Sequence, residues 1–357
     1  MTAMKSIFIG GMAGSGKTAI ALGLALKFRD QGLNVGYFKP LGASHGPHRQ
    51  EDEDVILFQQ VLSLPHDAAT LSPVRTGPYY LSSGPRRDPA PLKEKLQQAY
   101  NTVSANVDVL LIDGSLSPYT AASLGLDAIN LARMLDSTML YVSRMEDDYS
   151  LDKTILYNEL FRLAGIKVLG NIFNSVDRTL LDKTKGVYAP ILEEAGHPVL
   201  GIIPSRPEIA SPTVREFYDA LGGELLTEEG IGLDRIVEEV VVGTMTTESA
   251  LGYLRRAPNK AVITGGDRAD MAVTALETST SVLILTGGYY PDVGVLASAI
   301  EKKVAVIMVH YDTFTAIERL HEITRRIHPG DEQGIRIAQT NISEHCNWQT
   351  ILDEVKS

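Results

Sequence analysis

The sequence predicts an α/β fold: a doubly wound parallel sheet, followed by a smaller α/β unit. Three observations carry that reading. Short apolar runs alternate with helical patterns through the first two thirds of the chain. Those runs are apolar at successive positions rather than at alternate ones, as expected of strands covered on both faces. A glycine-rich turn also joins the first run to the first helix. Strand–helix–strand alternation of this kind implies parallel strands with right-handed crossovers.

The expected strands of the first domain are Ser6–Ile9, Asn34–Phe38, Val107–Ile112, Thr138–Ser143, Val168–Phe173 and Pro198–Ile202. Helical patterns fill the intervals at Lys17–Asp30, Asp54–Leu62, Pro91–Val103, Ala128–Leu135, Leu151–Ala164 and Lys185–Ala195, and Gly32 stops the first. Around Leu221–Gly232 the alternation lapses into a Gly/Glu-rich stretch, which places a domain boundary between residues 222 and 223. Domains of 1–222 and 223–357 follow. The second contains strand-like runs at Ile236–Val242, Ala261–Thr264, Ser281–Leu285 and Val304–Val309. Helical patterns lie at Met271–Glu277, Gly294–Lys302 and Phe314–Arg326.

Composition narrows the partners. The chain has 357 residues, 44% hydrophobic and 22% charged, enough for two globular cores. Its net charge of -11, without a long basic run, argues against nucleic acid or an anionic membrane as the main partner. Cys346 is the single cysteine, so no intrachain disulfide can form and a reducing compartment is expected. The N-terminal apolar stretch is short and leads into glycine, which reads as a strand and not a signal peptide. No run approaches the ~20 apolar residues of a membrane span. A cytoplasmic protein is the expectation.

The turn after the first strand carries the chemistry. Gly11, Met12, Ala13, Gly14, Ser15, Gly16, Lys17 and Thr18 fit G-x-x-x-x-G-K-[ST], and Gly10 precedes them. Glycines let the backbone curl until successive N–H groups face phosphate oxygens, where a Cβ would intrude. In such a P-loop Lys17 bridges the β- and γ-phosphates and the Thr18 hydroxyl ligates Mg²⁺. The first turn of the following helix adds its partial positive charge. The expected cofactors are a nucleoside triphosphate and Mg²⁺, and the expected first domain is a P-loop NTPase fold.

Such a loop needs a carboxylate near the metal, typically at the end of a neighbouring strand. Asp113, closing the run VDVLLID, fits, although an aspartate there can also be an ordinary turn residue. Asp52 and Asp54 open a helix, where the macrodipole favours acids; Asp54 is the better candidate to reach the metal. Lys39 ends the second strand, at the carboxyl edge that faces the ligand crevice. Asn174 closes NIFN, and its amide can hydrogen-bond a purine edge or form a turn. Asn174 and Asp177 also trace the N-x-x-D outline of guanine selection, but Ser175 stands where a lysine is usual. ATP is therefore expected ahead of GTP, which stays open. His45 and His48 have no partnering Cys/His cluster and read as loop residues.

Gly10–Thr18, GYFKP around Lys39, the acidic helix start at Asp54, LLIDG at Asp113 and NIFN at Asn174 resemble the dethiobiotin synthetase-like P-loop group. More closely, they resemble the corresponding N-terminal region of long-form phosphate acetyltransferases. Ile263–Asp270 (ITGGDRAD), Leu283–Gly288 (LILTGG) and Tyr311–Thr313 (YDT) resemble the DRTGG domain that follows this region in those enzymes. The resemblance implies that Lys39 helps hold the carbamate and phosphate of a reacting substrate. It also implies that Asp54 and Asp113 hold Mg²⁺ and that Asn174 reads adenine. The second domain becomes regulatory or dimer-forming, so a homo-oligomer is expected. Two departures stand out. GSLSPYTAASLG follows Asp113 in place of a glutamate and a glycine-rich substrate loop, and Met12 or Ala13 replaces an acidic residue in the phosphate loop. Acetyl transfer is not expected.

In the second domain Gly265–Gly266 and Gly287–Gly288 end successive strands. They make either anion-binding backbone nests or plain tight turns locked by an Asp267–Arg268 pair. Two functions fit the whole. One is a nucleotide-dependent regulator or sensor in acetyl-group or related carbon metabolism, with slow ATP hydrolysis and a metabolic enzyme as partner. The other is an ATP-dependent enzyme that phosphorylates or activates a small carboxylate, with Lys17 and Lys39 as catalytic cations.

Overall fold

The computed structural model describes residues 5–43, 52–77, 80–82, 89–228, 230–321, 323 and 327–356. Contacts divide the chain into two units, Met1–Ser205 with Ile327–Ser357, and Arg206–Arg326.

The first unit contains β1 (Lys5–Gly11), β2 (Val35–Phe38), β3 (Leu41–Ala43), β4 (Val74–Thr76), β5 (Val109–Asp113), β6 (Thr138–Arg144), β7 (Val168–Val176) and β8 (Val199–Pro204). Six of them form one parallel sheet in the order β2-β5-β1-β6-β7-β8. The buried faces explain the sequence pattern: Phe8, Leu110, Leu111, Ile112, Leu140 and Val142 are all fully enclosed, with no polar side to alternate with. β1 lies between β5 and β6, with Ile9 opposite Asp113. The chain moves to one side of β1 for β2 and β5, then to the other for β6. The turn after β1 thus sits at the switch point, where open α/β sheets form their ligand crevice. The small β3–β4 parallel pair was not read from the sequence, because runs of three residues carry no usable period.

The contact division differs from the boundary read in the sequence. Residues 327–357, assigned above to the second domain, belong to the first unit. The cause is apolar patterning on helices Glu332–His345 and Trp348–Lys356, which bury Ala338, Ile342, Ile351 and Leu352 in the first core. Gly23, in helix Lys17–Asp30, lets the first of these close in: a Cβ there would lie 2.4 Å from the Ala338 carbonyl oxygen. Gln339 donates to Asp30 (2.7 Å), Lys167 pairs with Glu354 (2.6 Å), and the Lys27 ammonium lies 4.7 Å from the Trp348 ring centre.

The second unit adds β9 (Glu224–Leu225), β10 (Glu239–Val242), β11 (Lys260–Gly265), β12 (Thr280–Thr286) and β13 (Ala305–Met308), in the order β10-β11-β12-β13-β9. Only β9 runs antiparallel. Alternate residues serve opposite faces. Ile263, Ile284 and Ile307 enter one core, and Val262, Leu283 and Val306 the other. The helix Val214–Leu221 starts with a capping box between Thr213 and Glu216.

Candidate nucleotide site

β1 delivers Gly10 and Gly11 to the sheet's carboxyl edge, and the turn ends on the N-terminus of helix Lys17–Asp30. The curl is set by glycine. Gly14 and Gly16 have φ of 71° and 83°, in the left-handed region that other residues avoid. Gly11 approaches β6 so closely that a Cβ would lie 2.3 Å from the Val142 carbonyl oxygen.

Lys17 is buried and donates from Nζ to the carbonyls of Gly11 (3.1 Å) and Met12 (2.9 Å). Burial pushes its ammonium down to about 8, against the pull of Asp113. A charged group held on two neutral carbonyls in a closed site is one that an anion would stabilise. Within the same turn Ser15 Oγ is buried and, among the described residues, has no hydrogen-bond partner. Asp113, at the end of β5, is enclosed; its Oδ2 accepts from the Tyr37 hydroxyl (2.9 Å) and faces Thr18 Oγ1 at 3.5 Å. Burial raises its carboxyl to about 6, although Lys39 acts in the opposite direction. Thr18 and Asp113 fit a magnesium ion that takes its remaining ligands from phosphate and water. Among the described residues there is no cluster of three or more His, Cys, Asp or Glu side chains suited to hold a metal by themselves.

Lys39 follows β2 directly and is buried. Its ammonium pairs with Asp52 (2.9 Å) and with Asp54. Burial alone would lower it, but Asp54, Asp113 and Asp52 together hold it above the usual lysine range. Asp52 also caps helix Glu53–Val61 by accepting from the Asp54 amide (3.0 Å). Asn174, on β7, turns its amide nitrogen to the Ser15 carbonyl at 2.8 Å.

Of the residues singled out in the sequence, Asn174 hydrogen-bonds the Gly11–Thr18 turn and Asp113 faces Thr18, while the Lys39–Asp54 pair lies near enough to act electrostatically on Lys17 and Asp113. Sequence reasoning missed Tyr37, which stacks on Phe58 with ring centres 3.7 Å apart while its hydroxyl holds Asp113. A tyrosine inside an apolar strand was its only signal. His45 and His48 lie outside the described residues.

The second unit's glycine pairs form turns whose amides are used locally. Gly266 N–H donates to Thr286 (3.0 Å), Gly287 N–H to Tyr311 (3.0 Å) and Gly288 N–H to Val309 (3.0 Å). Arg268 forms its ion pair with Asp270 (2.8 Å), not the Asp267 partner named in one of the two readings.

A family profile described as an AAA domain matches residues 5–213, and one described as a DRTGG domain matches residues 216–323. The chain belongs to this AAA-domain family. The AAA-domain protein is 24% identical over 351 residues to the phosphate acetyltransferase of Pseudomonas putida, covering 94% of this chain and 49% of that protein. It is 26% identical over 208 residues to the ATP-dependent dethiobiotin synthetase BioD of Methanocaldococcus jannaschii, covering 56% of this chain and 94% of that protein. The chain thus spans about half the length of the phosphate acetyltransferases it matches. Among solved structures, the septum site-determining protein MinD with Mg-ADP from Pyrococcus horikoshii OT3 aligns with a TM-score of 0.36 and 18% identity, covering 58% of this chain and 83% of that one. A dethiobiotin synthetase-like P-loop region followed by a DRTGG domain is the arrangement that the sequence motifs implied.

Proposed function

We propose that the first unit binds Mg-ATP on the Gly11–Thr18 turn and serves as a nucleotide-dependent regulator with slow hydrolysis. Acetyl-group or related carbon metabolism is the proposed setting. The single observation that carries nucleotide binding is the buried Lys17 ammonium, hydrogen-bonded to loop carbonyls beside a Ser15 hydroxyl that has no partner among the described residues. A triphosphate tail offers both groups better partners. Lys17 would hold phosphate oxygens, and Thr18 and Asp113 would hold the magnesium ion, which offsets phosphate charge when bound.

The competing reading is an ATP-dependent enzyme that activates a small carboxylate, the chemistry that the dethiobiotin synthetase likeness brings with it. It needs Lys39 on the transferred phosphoryl group. Here Lys39 is instead paired with Asp52 and Asp54, and that pairing supports the regulatory reading. Metabolic-enzyme partners and self-association belong to the same proposal.

Calorimetry with Mg-ATP and Mg-GTP tests binding, and phosphate release tests fate. The expected result is saturable heat with ATP and release below about one turnover per minute, well under ordinary enzyme rates. No heat with either nucleotide refutes the site. Rapid release in the presence of a small carboxylate would favour the enzyme.

A further inference from the structure

Asn174 stands at an irregular point of the sheet. The β7–β8 register shifts between Phe173 and Val176, and the next residue, Ser175, adopts φ 52° without being glycine. Bulges of this kind re-aim a side chain, and a left-handed serine is a strained backbone that the surroundings must hold in place. The side chain so aimed is buried, and it meets the phosphate turn. Its amide nitrogen donates to the Ser15 carbonyl at 2.8 Å, and the carbonyl acceptor fixes which end of the amide faces the loop. On the other side of that peptide bond, a Cβ at Gly16 would lie 2.1 Å from the same nitrogen. The amide thus touches two consecutive residues of the turn. In a trans peptide C=O and N–H point in opposite directions. Holding the Ser15 carbonyl towards Asn174 therefore directs the Gly16 N–H away from it.

We propose that Asn174 is a positioning residue for the phosphate turn, orienting the Ser15–Gly16 peptide for the polyphosphate, rather than a reader of the purine base. This rests on the nucleotide site proposed above. The two roles differ in what they depend on: a base reader distinguishes adenine from guanine, whereas a peptide clamp is indifferent to the base.

Calorimetry of wild type, Asn174→Ala and the isosteric Asn174→Asp with Mg-ATP, Mg-GTP and magnesium tripolyphosphate separates them. The expected result is a loss of about three- to tenfold, the worth of one net hydrogen bond, by the same factor for all three ligands in Asn174→Ala. Asn174→Asp keeps the shape but has no donor, so it should lose at least as much; it also carries the test if the alanine variant does not fold. A loss confined to ATP, with tripolyphosphate unchanged, would overturn the proposal in favour of base reading. Unchanged affinities with a lowered ligand-free melting temperature would overturn it in favour of a fold brace. A wild type that binds none of the three overturns the nucleotide site itself, an outcome distinct from either of these.

Discussion

Gly23→Ala tests whether the C-terminal helices close on the helix that begins at Lys17. The added methyl would sit 2.4 Å from the Ala338 carbonyl oxygen and 2.6 Å from Ile342 Cγ1. One of these atoms is backbone and cannot swing away, so relief requires one helix to move. Overpacking of this kind costs about 3 kcal/mol at the upper end of the usual range. Replacing glycine inside a helix returns about 1 kcal/mol through propensity. A net loss of about 2 kcal/mol remains, equivalent to a fall of about 4–8 °C in melting temperature for a unit of this size. Differential scanning calorimetry, following the first unit's transition, is the assay. Gly252→Ala is the internal control. It lies in helix Thr247–Leu254 of the second unit, and a Cβ there meets nothing within 4 Å. The same substitution should stabilise there, by up to about 1 kcal/mol. Equal and positive shifts at both glycines would show that residues 332–345 do not pack on helix Lys17–Asp30.

Lys17→Met is expected to raise the melting temperature of the ligand-free protein, because it removes a charge that burial makes unfavourable. The same variant should abolish the thermal shift produced by Mg-ATP; scanning fluorimetry with and without nucleotide checks both, and a lowered ligand-free melting point would contradict the burial argument. Burial pushes the Cys346 thiol up to about 12, from an ordinary value of 9.0. Iodoacetamide at pH 8.5 should therefore label the folded protein far more slowly than the unfolded chain. The raised folded value also gives a stability contribution that is fully present below about pH 9 and is lost as the pH rises towards 12. Labelling at the unfolded rate, or stability that rises across that range, would count against the half-buried placement of Cys346.

Much of the fold was legible because the central strands β1, β5 and β6 of the first sheet are apolar runs enclosed on both faces, alternating with helical stretches. The turn was legible because glycine, lysine and threonine are each required by geometry at a fixed offset. What the sequence could not show was partnership across distance. Lys39 looked available at a strand end, yet Asp52 and Asp54, thirteen and fifteen residues on, hold it. Asn174 read as a contact to a purine edge or a turn residue, and its hydrogen bond to Ser15, 159 residues away in the chain, has no local sequence signal. The placement of residues 327–357 was hidden for the same reason. Neither helix of that segment, Glu332–His345 or Trp348–Lys356, was among those read from the sequence, and an amphipathic pattern would in any case record only that one face is buried, not which core receives it.

That last placement bears on how the chain is made. Gly23 and Ala338, which pack against each other, lie about 315 residues apart along the chain. At typical elongation rates, roughly 15–60 s pass between the emergence of the phosphate-turn helix from the ribosome and the arrival of the helix that covers it. The intervening unit can collapse on its own cores during that wait, while the older part of the chain stays unfinished with an apolar flank bare. The segment around Gly23 is thus completed only after residues 332–345 have been made, and a nascent chain halted before residue 332 would present that flank to chaperones.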